Sequence, residues 1–175
     1  MIEAMDIAIG KVLKSLDDLD VAEETLVIFT SDNGPFGGVG DASPLRADKG
    51  HLYEGGIRVP LIVRWPGKVE AGVVEKTPVI LTDFHPTILA ATGLDLNSTV
   101  PNDGHNLLPL LKGEEKIKNR PVYWHYPNFA FHRDNRLGSA IREGDHKLIH
   151  FYDTDSVELY NLRNCLLYTS DAADE

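Results

Sequence analysis

The stretch that most constrains this chain is Thr25–Gly34, TLVIFTSDNG. Leu26, Val27, Ile28 and Phe29 make a continuous apolar run of β-formers bounded by turn residues, the pattern of a strand buried on both faces. The run stops at Ser31-Asp32-Asn33-Gly34, where two side chains with hard oxygen atoms are adjacent. In open α/β sheets, ligands gather just beyond the carboxyl ends of strands. An Asp-Asn pair there can hold a divalent cation through oxygen, and it is equally an ordinary turn sequence. Lys49, sixteen residues past Asn33 and after a glycine-rich loop, can return to the same place as a cation for an anionic ligand; alone, it also fits a solvated surface lysine.

The flanking sequence reads as α/β. Ile2, Met5, Ile9, Val12 and Leu16 recur at three- and four-residue steps, which predicts an amphipathic helix over Met1–Leu19. A helix starting at the first residue without a cap is expected of a start internal to a longer protein. Glu54-Gly55-Gly56 is expected to be a turn needing positive φ, and Val59–Trp65 a second buried strand ended by Pro66-Gly67. Thr77–Leu81 should be extended. A helix over Phe84–Thr92, capped by Thr82 or Asp83, should stop at Gly93, with His85 capping or packing in its first turn. Leu107–Lys112 reads as a helical turn. From Arg120 the period changes to two: Val122–Tyr126, Ser139–Arg142, His146–Tyr152 and Val157–Tyr160 are candidate strands, with turns at Glu143-Gly144-Asp145 and Asp153–Asp155. The expected organisation is a mixed, mainly parallel α/β sheet region over 1–113 and a small antiparallel sheet subdomain over 120–163.

Composition removes several classes of function. The 27 acidic against 17 basic residues, net −10, include no Lys/Arg-rich run, which argues against a nucleic-acid partner. There is no apolar run of about 18 residues to span a membrane, and no GxxxxGK[ST] phosphate cradle. A lone cysteine, Cys165, precludes an internal disulfide and a cysteine-based zinc site. Localisation and oligomeric state are left open.

SDNG, LRADKG, YEGGIRVPLIVRWPG and TDFHPTILAATG, in this order and at close spacing, resemble the sulfatase family, arylsulfatase A-type, of the alkaline-phosphatase-like superfamily. EGDHKLIHFYDTDSVELYNL resembles the family's C-terminal sheet. The resemblance implies a sulfate ester as substrate, of a small molecule or a glycan. It implies that Asp32 and Asn33 are ligands of a calcium ion (Ca2+), and that Lys49 is a catalytic residue binding a sulfate oxygen. It also implies a formylglycine nucleophile made in a C/S-x-P-x-R motif. That motif is not in this sequence, nor are the family's remaining metal ligands, so the 175 residues alone are expected not to turn over a sulfate ester and, lacking strand neighbours, to be unstable or aggregation-prone. The competing readings are a phosphodiesterase or phosphonate hydrolase of the same superfamily and a non-catalytic pseudo-sulfatase domain.

His125 and His132 lie in YWHYPNFAFHRDNR, expected to be an aromatic loop after the first C-terminal strand. Aromatics and imidazoles suit a sugar or aryl subsite, which makes His125 a candidate substrate contact; core aromatics at a domain junction are the alternative. Arg58 and Glu54 read as a structural charge pair. Cys165–Glu175, CLLYTSDAADE, back-translates to a common transposase-type sequencing adapter and is expected to be a non-native tail.

Overall fold

The computed structural model describes residues 1–94, 102–118, 120–129, 132 and 134–163. The expected tail, 165–175, lies outside them. The chain groups into two compact units, Met1–Phe29 with Leu61–Lys116, and Thr30–Pro60 with Ile117–Glu175.

In the first unit, α1 (Ile2–Asp18) forms as its periodicity predicts, yet none of its residues is buried. Strand β1 (Val27–Thr30) pairs with β2 (Leu61–Arg64) in a two-stranded sheet. All four β1 residues are half-buried and Ile62 is 60% exposed, where the apolar runs predicted burial on both faces. Burial on both faces needs packed layers above and below a strand, and among the described residues this sheet has two strands. Two polar contacts tie the unit's opening segment to β2 and its end: Arg64 donates to Asp17 Oδ1 (3.1 Å) and Trp65 Nε1 to the Glu23 carbonyl (2.8 Å).

Thr77–Ile80 carries no strand pairing and leads through a 3-10 turn, Leu81–Asp83, into α3 (Phe84–Ala91). Asp83 stands at the cap position but does not cap α3 with its side chain. Its carboxylate is fully buried and accepts from the backbone N–H of Ile80 (2.9 Å) and of His105 (2.8 Å), so it joins two loops. Thr87 donates to the Asp83 carbonyl (2.6 Å) and accepts from Leu107 N–H (2.8 Å), seating α4 (Leu108–Leu111). His85 is exposed, not packed.

The second unit is built on an antiparallel sheet of β3 (Val122–Tyr126), β4 (Gly138–Glu143), β5 (His146–Phe151) and β6 (Ser156–Asn161), in sequential order. Period-two alternation places Trp124, Ala140, Ile149 and Glu158 in one cross-strand row, and Val122, Arg142, Lys147 and Tyr160 in the next, on the same face. That face is covered by Leu52 and Tyr53, which join Ala140, Ile149, Phe151, Tyr160 and Leu162 in the unit's core. Tyr53 leads into α2 (Glu54–Ile57), a single helical turn.

Candidate active site

The sheet β1–β2 delivers Ser31-Asp32-Asn33-Gly34 directly after a strand end. Ser31 Oγ donates to the Asn33 carbonyl (2.9 Å), which tightens the turn. Gly34 N–H then donates to Gly56 O (2.8 Å), and the Pro35 carbonyl accepts from Lys49 N–H (2.9 Å). Gly55 N–H donates to Arg46 O (2.8 Å). These bonds lace the 31–35 run to the 46–56 run, and so bring the backbone of Lys49 two residues from Asn33.

The glycines of this lacing are chosen for space. A Cβ on Gly34 would stand 1.9 Å from Gly55 O, and one on Gly55 would stand 2.0 Å from Ala47 O and 2.4 Å from Arg46 O. Gly55 and Gly56 therefore do not form a positive-φ turn: they lie in α2, and the positive φ falls on Ala47 (62°) and Gly50 (92°). Close backbone approach requires glycine as firmly as a left-handed φ does.

Asp32 is exposed, while Asn33 and Lys49 are half-buried. Among the described residues, none of the three side chains makes a hydrogen bond or ion pair within the protein. Two uncommitted oxygen donors beside a strand end suit a hard cation such as calcium, which takes about six to eight oxygen ligands, so this pair would supply only part of a shell. No group of three or more His, Cys, Asp or Glu side chains among the described residues could hold a metal by itself. A lysine left without an anionic partner can meet an anionic ligand.

Both ends of the segment carrying Lys49 are held by charged groups, of which the sequence singled out only Glu54. At one end, Arg46 Nη1 donates to Tyr160 OH (3.0 Å) and its guanidinium lies 3.9 Å from the Tyr53 ring centroid. Tyr53 OH and Tyr160 OH both donate to Glu158 Oε2, at 2.8 and 2.5 Å. Burial, reinforced by these bonds to a carboxylate, raises both phenols, Tyr53 to about 12. At the other end, Lys147, fully buried, donates to Leu52 O (2.6 Å) and to Glu54 Oε1 (2.9 Å). Glu54 is itself 1% exposed, and its second oxygen faces Arg142 (3.5 Å) and Arg58 (3.8 Å). The expected Arg58–Glu54 pair exists but is secondary to Lys147. Burial pulls the Lys147 ammonium down to about 8, against the attraction of Glu54. The signal for Lys147 was present: it shares the period-two face of Ile149 and Phe151. Its partner, 93 residues away, has no signature in spacing.

His125 lies within β3, not in the loop after it. Its face is opposite that of Trp124, and its Nδ1 contacts Ser139 Oγ (2.9 Å) and Tyr152 OH (3.0 Å). His132 packs edge-on against Phe36, with ring centroids 5.6 Å apart, and lies against Gly50.

Residues 46–166 match the model of the family described as N-sulphoglucosamine sulphohydrolase, C-terminal, which is more than half of the chain. The chain belongs to the sulfatase family. It is 38% identical to a sulfatase of Formosa agariphila across 99% of its own length and 34% of that protein. The structure of Ps i-CgsB in complex with k-i-k-neocarrahexaose matches with a TM-score of 0.85 and 31% identity, over 99% of this chain and 38% of that one. BT4656, in complex with its substrate D-glucosamine-2-N,6-O-disulfate, matches at a TM-score of 0.83 and 29% identity, over 99% and 35%. The α/β architecture is thus that of sulfatases with the alkaline-phosphatase-like fold, and the chain spans about a third of the length of the relatives it matches.

Proposed function

We propose that this sulfatase-family chain contributes the anion-binding half of a site that hydrolyses a sulfate ester, carried by a glycan or another small molecule. The observation that carries the reading is the hydrogen bond from Lys49 N–H to Pro35 O, which joins the uncommitted lysine to the turn bearing the uncommitted Asp32 and Asn33. In this reading Lys49 binds a sulfate oxygen, and its fixed positive charge meets the negative charge that develops as the S–O bond breaks. Asp32 and Asn33 ligate calcium, which when bound supplies a Lewis-acidic centre for the sulfate group. His125 is left out of this reading, because it lies on the sheet face opposite the one packed against Leu52 and Tyr53. The formylglycine belongs to a C/S-x-P-x-R motif outside these 175 residues.

Calorimetric titration of calcium alone into the chain tests the metal reading. The expected result is saturable binding weaker than about 1 mM, because the donor set is partial, abolished in Asp32→Ala. Identical heats from wild type and variant would overturn it. An aryl sulfate incubated with the purified chain is expected to stay intact, and turnover would refute the placement of the nucleophile outside this sequence.

A further inference from the structure

The segment between Arg46 and Glu54 is anchored near Lys49 by the bonds from Lys49 N–H to Pro35 O and from Asn135 Nδ2 to Gly50 O. Its ends are held from the sheet's inner face, by Glu158 and Tyr160 on β6 and by Lys147 on β5. We propose that this sheet positions Lys49, with Lys147 and Glu158 as the two positioning residues. The proposal deepens the reading of Lys49 as the sulfate contact, and rests on it only for the purpose that the positioning serves.

The geometry separates the two holds. Lys147 reaches across the core face to the carbonyl of Leu52 and the carboxylate of Glu54, so one ammonium fixes both the backbone entering α2 and the first side chain of that helix. Glu158 gathers the hydroxyls of Tyr53 and Tyr160, and Tyr160 in turn accepts from Arg46. Arg46 and Glu54 lie three residues before and five after Lys49. The hydrogen bond from Gly55 N–H to Arg46 O closes the segment on itself between the holds. A lysine on a flexible four-carbon stem gains fixed placement only if its backbone is fixed, and preorganised charge is what an anion site requires.

The test uses the whole chain, Lys147→Met, Glu158→Ala and the double variant Lys147→Met/Glu54→Gln. The double variant matters because Lys147→Met alone takes from Glu54 its fully buried partner, whereas removing both leaves no fully buried charge, only the part-exposed Arg142 and Arg58 without their carboxylate. Two quantities are read by NMR: amide exchange across 46–57 against 138–151, and the resonance of the Lys49 ε-methylene, assigned with Lys49→Arg. The expected result is exchange in 46–57 accelerated by roughly tenfold or more while 138–151 keeps its protection, with the Lys49 resonance moved toward that of exposed lysines. A double variant with a protected sheet and a Lys49 resonance at its wild-type position would overturn the proposal. Equal loss of protection in loop and sheet, in both the double variant and Glu158→Ala, would also overturn it, because the two would then be one structural body. Neither quantity involves sulfate or calcium, so failure here and failure of the calcium titration are distinct outcomes.

Discussion

Gly55 and Gly10 sit in helices and respond oppositely to alanine, and the structure sets both signs. By helix propensity alone, Gly→Ala in a helix gains about 0.5–1 kcal/mol. Gly10 is in the middle of α1 with nothing within 4 Å of a Cβ built there, so Gly10→Ala is expected to stabilise by about that amount. At Gly55 the same atom would lie 2.0 Å from one backbone carbonyl oxygen and 2.4 Å from another. Backbone cannot swing aside as a side-chain tip can, so the 46–47 segment of the lacing must retreat. Overpacking of that kind costs about 1–3 kcal/mol, and losing the bond from Gly55 N–H to Arg46 O adds about 1–3 kcal/mol if its groups stay buried. Gly55→Ala is therefore expected to destabilise by about 1–5 kcal/mol after the propensity gain is subtracted. Urea unfolding in a Trp65→Phe background isolates Trp124, which packs against the core of the second unit, as the fluorescent reporter. A Gly55→Ala midpoint equal to or above that of the parent would refute the close-approach argument.

Stability of the second unit should rise with pH between about 8 and 10: the folded chain releases the Lys147 proton near 8 while the unfolded chain holds it toward 10.5, so the unfolded state carries more protons in that window. Above about pH 10 the sign reverses, because Tyr53 and Tyr160 in the fold retain protons that unfolded tyrosines lose. Urea midpoints followed by Trp124 fluorescence check both limbs, and an equal rising limb in Lys147→Met/Glu54→Gln would contradict the assignment to Lys147. Asp83→Ala should destabilise the first unit by on the order of 3 kcal/mol, since two backbone N–H groups lose a buried acceptor; Trp65 fluorescence in a Trp124→Phe background reads it, and a loss below about 0.5 kcal/mol would show that water replaces the carboxylate.

The antiparallel sheet was legible because its strands alternate at period two and Gly144, at φ 57°, marks the turn between β4 and β5. The helices α1 and α3 were legible from their 3.6-residue period and, for α3, from Gly93 (φ 71°) at its end. Local signals failed where a residue answers to something distant. Gly55 and Gly56 read as a turn because glycine has two uses, conformational freedom and absence of a side chain, and sequence alone does not separate them. Asp83 read as a helix cap, yet its acceptors serve Ile80 and His105. For the candidate site, Asp32, Asn33 and Lys49 are proposed from the order of neighbouring motifs, whereas the Glu54–Lys147 pair emerged only when the sheet met the 46–54 segment.

The bond between Pro35 O and Lys49 N–H turns residues 36–48 into an excursion with a closed neck. Within it, Arg46 and Ala47 are tied to the lacing, whereas the stretch from Gly38 to Leu45 can lengthen, shorten or change composition while the anchor points keep their separation. Such an arrangement divides labour within one connection: the neck keeps the Lys49 backbone beside the 31–35 turn, and the outer part of the excursion is free to vary in shape. Changes confined to that outer part therefore require no adjustment at the turn or at the lysine.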